Sequence, residues 1–298
     1  MLRSRTFRTL LQSFWRLRGR GCFIIEAFSK IEQIFTQAGI PVVGACSFAP
    51  LRPFLLHCRA EKRLPQGAKS VIVALFPYSM EAEAYAGGNL SRYACVRDYH
   101  EIVPQYLNRA ADQLRALFPG EQFEAFADNS PIPEVRAAAL AGLGRIGRNG
   151  LLIHERYGSW VFIGELVTTL SLELPLCGPL SCLDCGRCLL SCPAGALTAA
   201  GLNRQKCLSA VTQRKGELGE RERERIRSTG CAWGCDICQI VCPMNDGVLT
   251  RPLPEFEETF RPAAEPGGPL EGRAYAWRGR KVIERNLCLL SEQGKGVV

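Results

Sequence analysis

The sequence has no run of about eighteen apolar residues, the length a membrane-spanning helix needs, so a membrane-embedded protein is set aside and a cytoplasmic, soluble one expected. Nor does it open like a secreted protein. The first twenty residues hold Arg3, Arg5, Arg8, Arg16, Arg18 and Arg20 and no acidic residue, but no long apolar stretch and no small-residue cleavage site. Residues 1–27 are therefore read as a basic, frayed tail. Histidine is scarce: only His57, His100 and His154 are present, and nothing in their spacing marks a metal ligand. Signs of disorder are absent too, because 47% of the 298 residues are hydrophobic, enough to fill two modest cores. The formal charge of +8 suits a polyanionic partner, but much of it sits in the tail and it decides little alone.

Cysteine, by contrast, is abundant, with 15 residues. Disulfide frameworks scatter cysteines through small secreted domains, whereas here most fall between Cys182 and Cys242 at close spacings. Metal ligation in a reducing compartment explains that pattern better. Cys182, Cys185, Cys188 and Cys192-Pro193 form C-x2-C-x2-C-x3-C-P, the bacterial ferredoxin run, whose fourth cysteine ligates the neighbouring [4Fe–4S] cluster. Cys235, Cys238 and Cys242-Pro243 form a second run whose missing ligand is either Cys207 or Cys231. Crossed ligation then gives one cluster Cys182, Cys185, Cys188 and Cys242, and the other Cys192, Cys235, Cys238 and one of those two. Zinc is the rival metal, but two runs each closed by Cys-Pro favour iron and sulfide. Cys22, Cys46, Cys58, Cys95, Cys177 and Cys288 are read as small core residues. Two clusters carry single electrons and offer a substrate no site, so the N-terminal half must hold the chemistry.

That half alternates helix and strand. Apolar residues at helical period mark 28–38 and 99–117, while 70–75, 123–126, 160–163 and 166–170 read as strands. The chain is thus expected to be α+β, with a catalytic domain at 28–174, a cluster domain at 175–246 and an extension at 247–298 that ends in a basic amphipathic helix.

Certain motifs are more specific. Ser91-Arg92-Tyr93, Arg97-Asp98-Tyr99-His100, Asp128-Asn129-Ser130-Pro131, Ala141-Gly142-Leu143-Gly144, Ile146-Gly147-Arg148-Asn149, Gly158-Ser159-Trp160, Cys207-Leu208-Ser209 and the two cysteine runs together resemble the epoxyqueuosine reductase family. The resemblance implies a nitroreductase-like cobalamin-binding domain followed by a bacterial ferredoxin-like double-cluster domain, reducing epoxyqueuosine in tRNA to queuosine. It assigns Cys207 as the eighth cluster ligand and Asp128 as the catalytic acid. It also implies cobalamin contacts from Tyr99, His100, Asp128, Gly142, Gly144, Arg148, Asn149, Ser159 and Ser209. An acid at neutral pH needs a raised pKa, which burial of Asp128 beneath a corrin face would supply. The implied partners are tRNA carrying epoxyqueuosine and a ferredoxin or flavodoxin-type electron donor, with the chain itself a monomer. Arg145, Arg148 and Val135 depart from the family pattern. They keep open a paralogous corrinoid reductase for a small molecule and a non-catalytic two-cluster electron carrier.

Overall fold

The computed structural model describes residues 19–172 and 178–292, with side chains from residue 26. Residues 1–18 of the expected tail, Cys22 and Cys177 lie outside the described residues or side chains. Helix α1 (Gly19–Gln37) begins inside the stretch read as tail. It leads to β1 (Val42–Ser47), then β2 (Ser70–Pro77), which is buried along its whole length, as the unbroken apolar run required.

Helix α2 (Tyr99–Leu117) starts where Asp98 accepts a hydrogen bond from the backbone N–H of His100 at 3.1 Å, an N-cap read from Asp-Tyr-His-Glu. Its buried face runs Ile102, Val103, Tyr106, Leu107, Ala110, Ala111 and Leu114, the helical repeat that drives it onto a sheet. After β3 (Phe123–Phe126), the short α3 (Glu134–Leu140) follows the Asn-Ser-Pro turn. Then come β4 (Arg145–Ile146), β5 (Leu152–Ile153) and β6 (Val161–Thr168).

The main sheet has the order β1-β2-β6-β3 with every pair antiparallel. One face carries Ile72, Ala74, Phe76, Phe162 and Leu166 against α1 and α2. The other carries Val71, Val73, Leu75, Ile163 and Val167 against α3. A strand alternates faces residue by residue, so Glu165 lies with Ile163 and Val167 beneath α3.

From β7 (Leu180–Ser181) the chain is built of short elements: α4 (Arg187–Leu190), β8 (Leu197–Thr198), β9 (Gly201–Leu202), α5 (Leu208–Thr212), α6 (Glu220–Thr229) and α7 (Ile237–Ile240). One-turn helices are what alternating cysteines and turn residues allow. Strand β7 adds parallel to β4, so the cysteine-rich segment shares a small sheet with the N-terminal half. The remainder is woven in rather than appended. Helix α8 (Pro254–Glu258) places Phe256 in the main core, and α9 (Arg280–Ser291) packs Val282, Ile283 and Leu287 against Ala94 and Trp233. Cys46 and Cys95 are buried as expected, whereas Cys58 is only half-buried and Cys288 is exposed on α9. No helix among the described residues is long and apolar enough to cross a membrane.

Candidate functional site

The eight cysteines gather as two sets of four. Cys188 is pushed up by burial and then by the thiols of Cys182, Cys242 and Cys185, so these four face one another. Burial pushes Cys235 up to about 11, with Cys207 and Cys192 adding to it, and Cys238 up to about 12, with Cys235 and Cys207 adding. Cys207 therefore joins the second set. Cys231 also stands near Cys235, with its thiol donating to the carbonyls of Trp233 at 3.2 Å and Gly234 at 3.5 Å.

An open hollow is lined by Cys182, Cys185, Cys188 and Cys242 together with Arg148 and Cys238. Among the described residues, no three His, Cys, Asp or Glu side chains close on a point where one metal ion would sit. Four thiols lining one hollow are the donor set an iron–sulfur cube takes, and one that tetrahedral zinc also accepts.

Asp128 stands at the end of β3, where the chain turns with φ of 49° at Asp128 and 34° at Asn129. Two successive non-glycine residues in the left-handed region are costly, and such strain concentrates at functional sites. The carboxylate is half exposed and bonds the Nε2 of His100 at 3.1 Å, while Nδ1 of the same ring meets Asp98 at 2.6 Å. With a carboxylate on each nitrogen, His100 is raised to about 9 and is an imidazolium at neutral pH. That bond in turn holds Asp128 below its ordinary value, with Arg204 contributing at longer range. The raised pKa expected for Asp128 is thus corrected: the bond to His100 outweighs its partial burial, and the proton of the pair sits on the imidazole. Tyr99 stacks on Phe162 at 4.3 Å and leans on His100 at 4.2 Å, which fixes the ring from below.

The other residues expected to line a cofactor are engaged elsewhere. Gly142, with φ of 75°, ends α3 as a Schellman cap in which its N–H bonds Ala139 and that of Leu143 bonds Ala138. A Cβ on Gly144 would come within 2.5 Å of the Ile153 carbonyl, so that glycine serves the β4–β5 contact. Arg148 pairs with Asp184 in the loop between Cys182 and Cys185. Asn149 is buried with its side chain on the Cys238 thiol. Ser159 donates to Gln239 at 2.9 Å and accepts from Asn245 at 2.9 Å. Ser209 meets Gln213 at 3.5 Å. Polar groups already satisfied by protein have little to offer a ligand, which leaves His100 and Asp128 as the exposed polar edge, with Tyr99 half-buried against them.

Several participants escaped the sequence reading. Asp98 was legible as an N-cap but not as the second partner of His100. Glu165 falls between the segments 160–163 and 166–170 read as strands, which the fold joins as β6, and Glu134 opens α3; both lie close to Asp128. Asp236, Gln239 and Asn245 surround the second cysteine run and fasten it to the sheet domain. Asp236 accepts from the N–H of Arg92 at 2.6 Å, and Asn245 from that of Ser159 at 2.8 Å.

The family model described as Epoxyqueuosine reductase QueG, DUF1730 matches residues 59–129. That for the 4Fe-4S double cluster binding domain matches residues 181–245. The epoxyqueuosine reductase of Lactococcus garvieae (strain Lg2) is 36% identical over 241 residues, covering 74% of this chain and 68% of the relative. That of Gloeobacter violaceus is 41% identical over 184 residues, covering 60% of this chain and 57% of the relative. A crystal structure of epoxyqueuosine reductase with an epoxyqueuosine-modified tRNA-Tyr stem loop superposes with a TM-score of 0.76 at 26% identity, over 90% of this chain and 81% of that one. On these matches, which span both the sheet domain and the cysteine runs, the chain belongs to the epoxyqueuosine reductase family.

Proposed function

We propose that this protein is an iron–sulfur, cobalamin-dependent reductase that converts epoxyqueuosine in tRNA to queuosine. The observation that carries the reading is the pairing of two thiol quartets with an exposed Asp128–His100 acid edge in one fold. Cys182, Cys185, Cys188 and Cys242 hold one [4Fe–4S] cluster, and Cys192, Cys207, Cys235 and Cys238 the other. Nitroreductase-like describes the sheet domain, and bacterial ferredoxin-like the cluster domain. The domain limits at 28–174, 175–246 and 247–298 follow the same division, and a cytoplasmic monomer fed by a ferredoxin or flavodoxin suits it.

A corrinoid fits where Asp128 faces the segment of Arg204, three residues before Cys207, because the exposed polar groups lie there. Tyr99, His100 and Asp128 would hold it, and when bound it supplies a strongly nucleophilic, one-electron metal centre. The rest is done by side chains. Asp98 orients His100; His100 stores a proton; Asp128 meets the substrate and passes that proton across the 3.1 Å bond to the departing epoxide oxygen. The formal net charge of +8 over the whole sequence is compatible with a tRNA backbone.

The test is anaerobic reconstitution with cobalamin, followed by iron, sulfide and cobalt quantification. About eight irons with stoichiometric cobalt is the expected result. In Asp128→Asn the metal content stays and conversion of an epoxyqueuosine stem loop is lost; full activity in that variant would remove the assignment.

A further inference from the structure

The sheet carries a second pair of acids that the reading above leaves idle. Glu165 is 0% exposed, and neither of its carboxyl oxygens has a hydrogen-bond partner. It sits on β6 directly across from Val73 on β2 and Phe126 on β3, two residues before Asp128. Helix α3 covers that face, and its first residue is Glu134. A leucine or methionine would fill such a place without stranding two oxygens, so a carboxyl group there calls for a reason. An ionised carboxylate without partners is prohibitive, so Glu165 is a neutral acid. Burial, then Glu134, then Asp128 push it well above the usual range, and burial, then Asp128, raise Glu134 to about 7.

Resting on the proposed reductase function, we propose that Glu134 and Glu165 form the proton store that reloads the Asp128–His100 pair between the two protonations of one turnover. The stoichiometry asks for such a store. Converting an epoxide to an alkene breaks both C–O bonds and forms the C=C bond. It consumes two electrons, delivered singly from the clusters, and two protons, and the oxygen leaves as water. The Asp128–His100 pair holds one proton. The second comes from behind: Glu134 at the mouth of α3 and Glu165 closed off beneath it both stand close to Asp128.

The charged and titratable groups around this path are few. From α2 come Asp98, Tyr99 and His100; from β1 comes Cys46, raised to about 12 by burial and then by Glu165; and from the cluster segment comes Arg204. Only His100 and Arg204 among them are cationic at neutral pH, and both act on Asp128. Their charge draws negative charge to Asp128 and leaves the protons on the acids behind it.

The experiment has two arms, on wild type, Glu134→Gln and Glu165→Gln. Infrared spectra of the protein should show protonated carboxyl absorption at neutral pH that is lost in Glu165→Gln. A second component titrating near 7 should be lost in Glu134→Gln. With clusters and cobalamin loaded, wild-type turnover of a stem-loop substrate should fall as pH rises through about 7, and Glu134→Gln should lose that limb, running roughly tenfold more slowly at pH 6 and converging with wild type towards pH 8, with KM unchanged. A variant that merely loosens the fold would keep the limb. Product from the wild type fixes the reductase reading independently of the variants. An unchanged pH profile in Glu134→Gln, or no protonated carboxyl absorption at neutral pH, overturns the store and leaves the reductase reading standing.

Discussion

Asp98, His100 and Asp128 form a short chain in which one proton is shared by three groups, and the pH dependence follows from its two signs. The His100 pKa is raised, from 6.5 to about 9, so its contribution to stability is fully present below 6.5 and disappears as pH rises through about 9. Asp128 is lowered, so its contribution is present above its ordinary value of 3.8 and is lost as pH falls below it. Denaturant unfolding should therefore weaken on the alkaline side near pH 9, and His100→Asn should flatten that limb. A proton-resonance titration of His100 with a midpoint near 6.5 would contradict the bridge. Asp128 was legible because its loop motif is specific, but its charge state was not, since nothing in Asp128-Asn129-Ser130-Pro131 names a histidine 28 residues earlier. Glu165 shows the same limit: it falls between the segments 160–163 and 166–170 read as strands, and only the register of the continuous β6 puts it under α3.

Elements with many turns were the readable ones. Helix α2 occupies residues 99–117 as its apolar repeat demanded, and β3 occupies 123–126, because long or strongly apolar segments carry their own period. Two-residue strands such as β4, β5 and β7 have no period to read, and pairing between β4 and β7 is set by the fold. The loops between elements are equally specific. Gly234 has φ of 83°, and a Cβ there would lie 1.8 Å from Ser91 Oγ, immediately before the ligand Cys235. Gly234→Ala should displace this loop and reduce bound iron to about four per chain. Gly142→Ala should cost only about 1–2 kcal/mol through the left-handed cap, with iron retained. Equal iron loss in both would refute the distinction.

Across the whole molecule, the cluster segment is fastened to the sheet domain by Arg92 to Asp236, Ser159 to Gln239 and Asn245, and Arg148 to Asp184. These bonds explain why so many of the expected cofactor residues are occupied by protein: the family motifs hold two parts together as much as they face a ligand. The sequence could not separate these uses, because a buried serine and a ligand-binding serine look alike until their partners are known. It did narrow the eighth thiol to two; in the fold Cys207 stands near both Cys235 and Cys238, while the Cys231 thiol donates to the Trp233 and Gly234 carbonyls. Cys231→Ser should keep about eight irons, whereas Cys207→Ser should keep roughly half. The reverse would exchange their roles.

The central claim is tested most directly by mass spectrometry of an epoxyqueuosine-containing tRNA stem loop incubated anaerobically with the reconstituted, reduced protein. The structure predicts loss of one oxygen from the modified base, dependent on cobalamin and abolished in Asp128→Asn. An unchanged mass, with both clusters and cobalt demonstrably bound, would contradict the assignment.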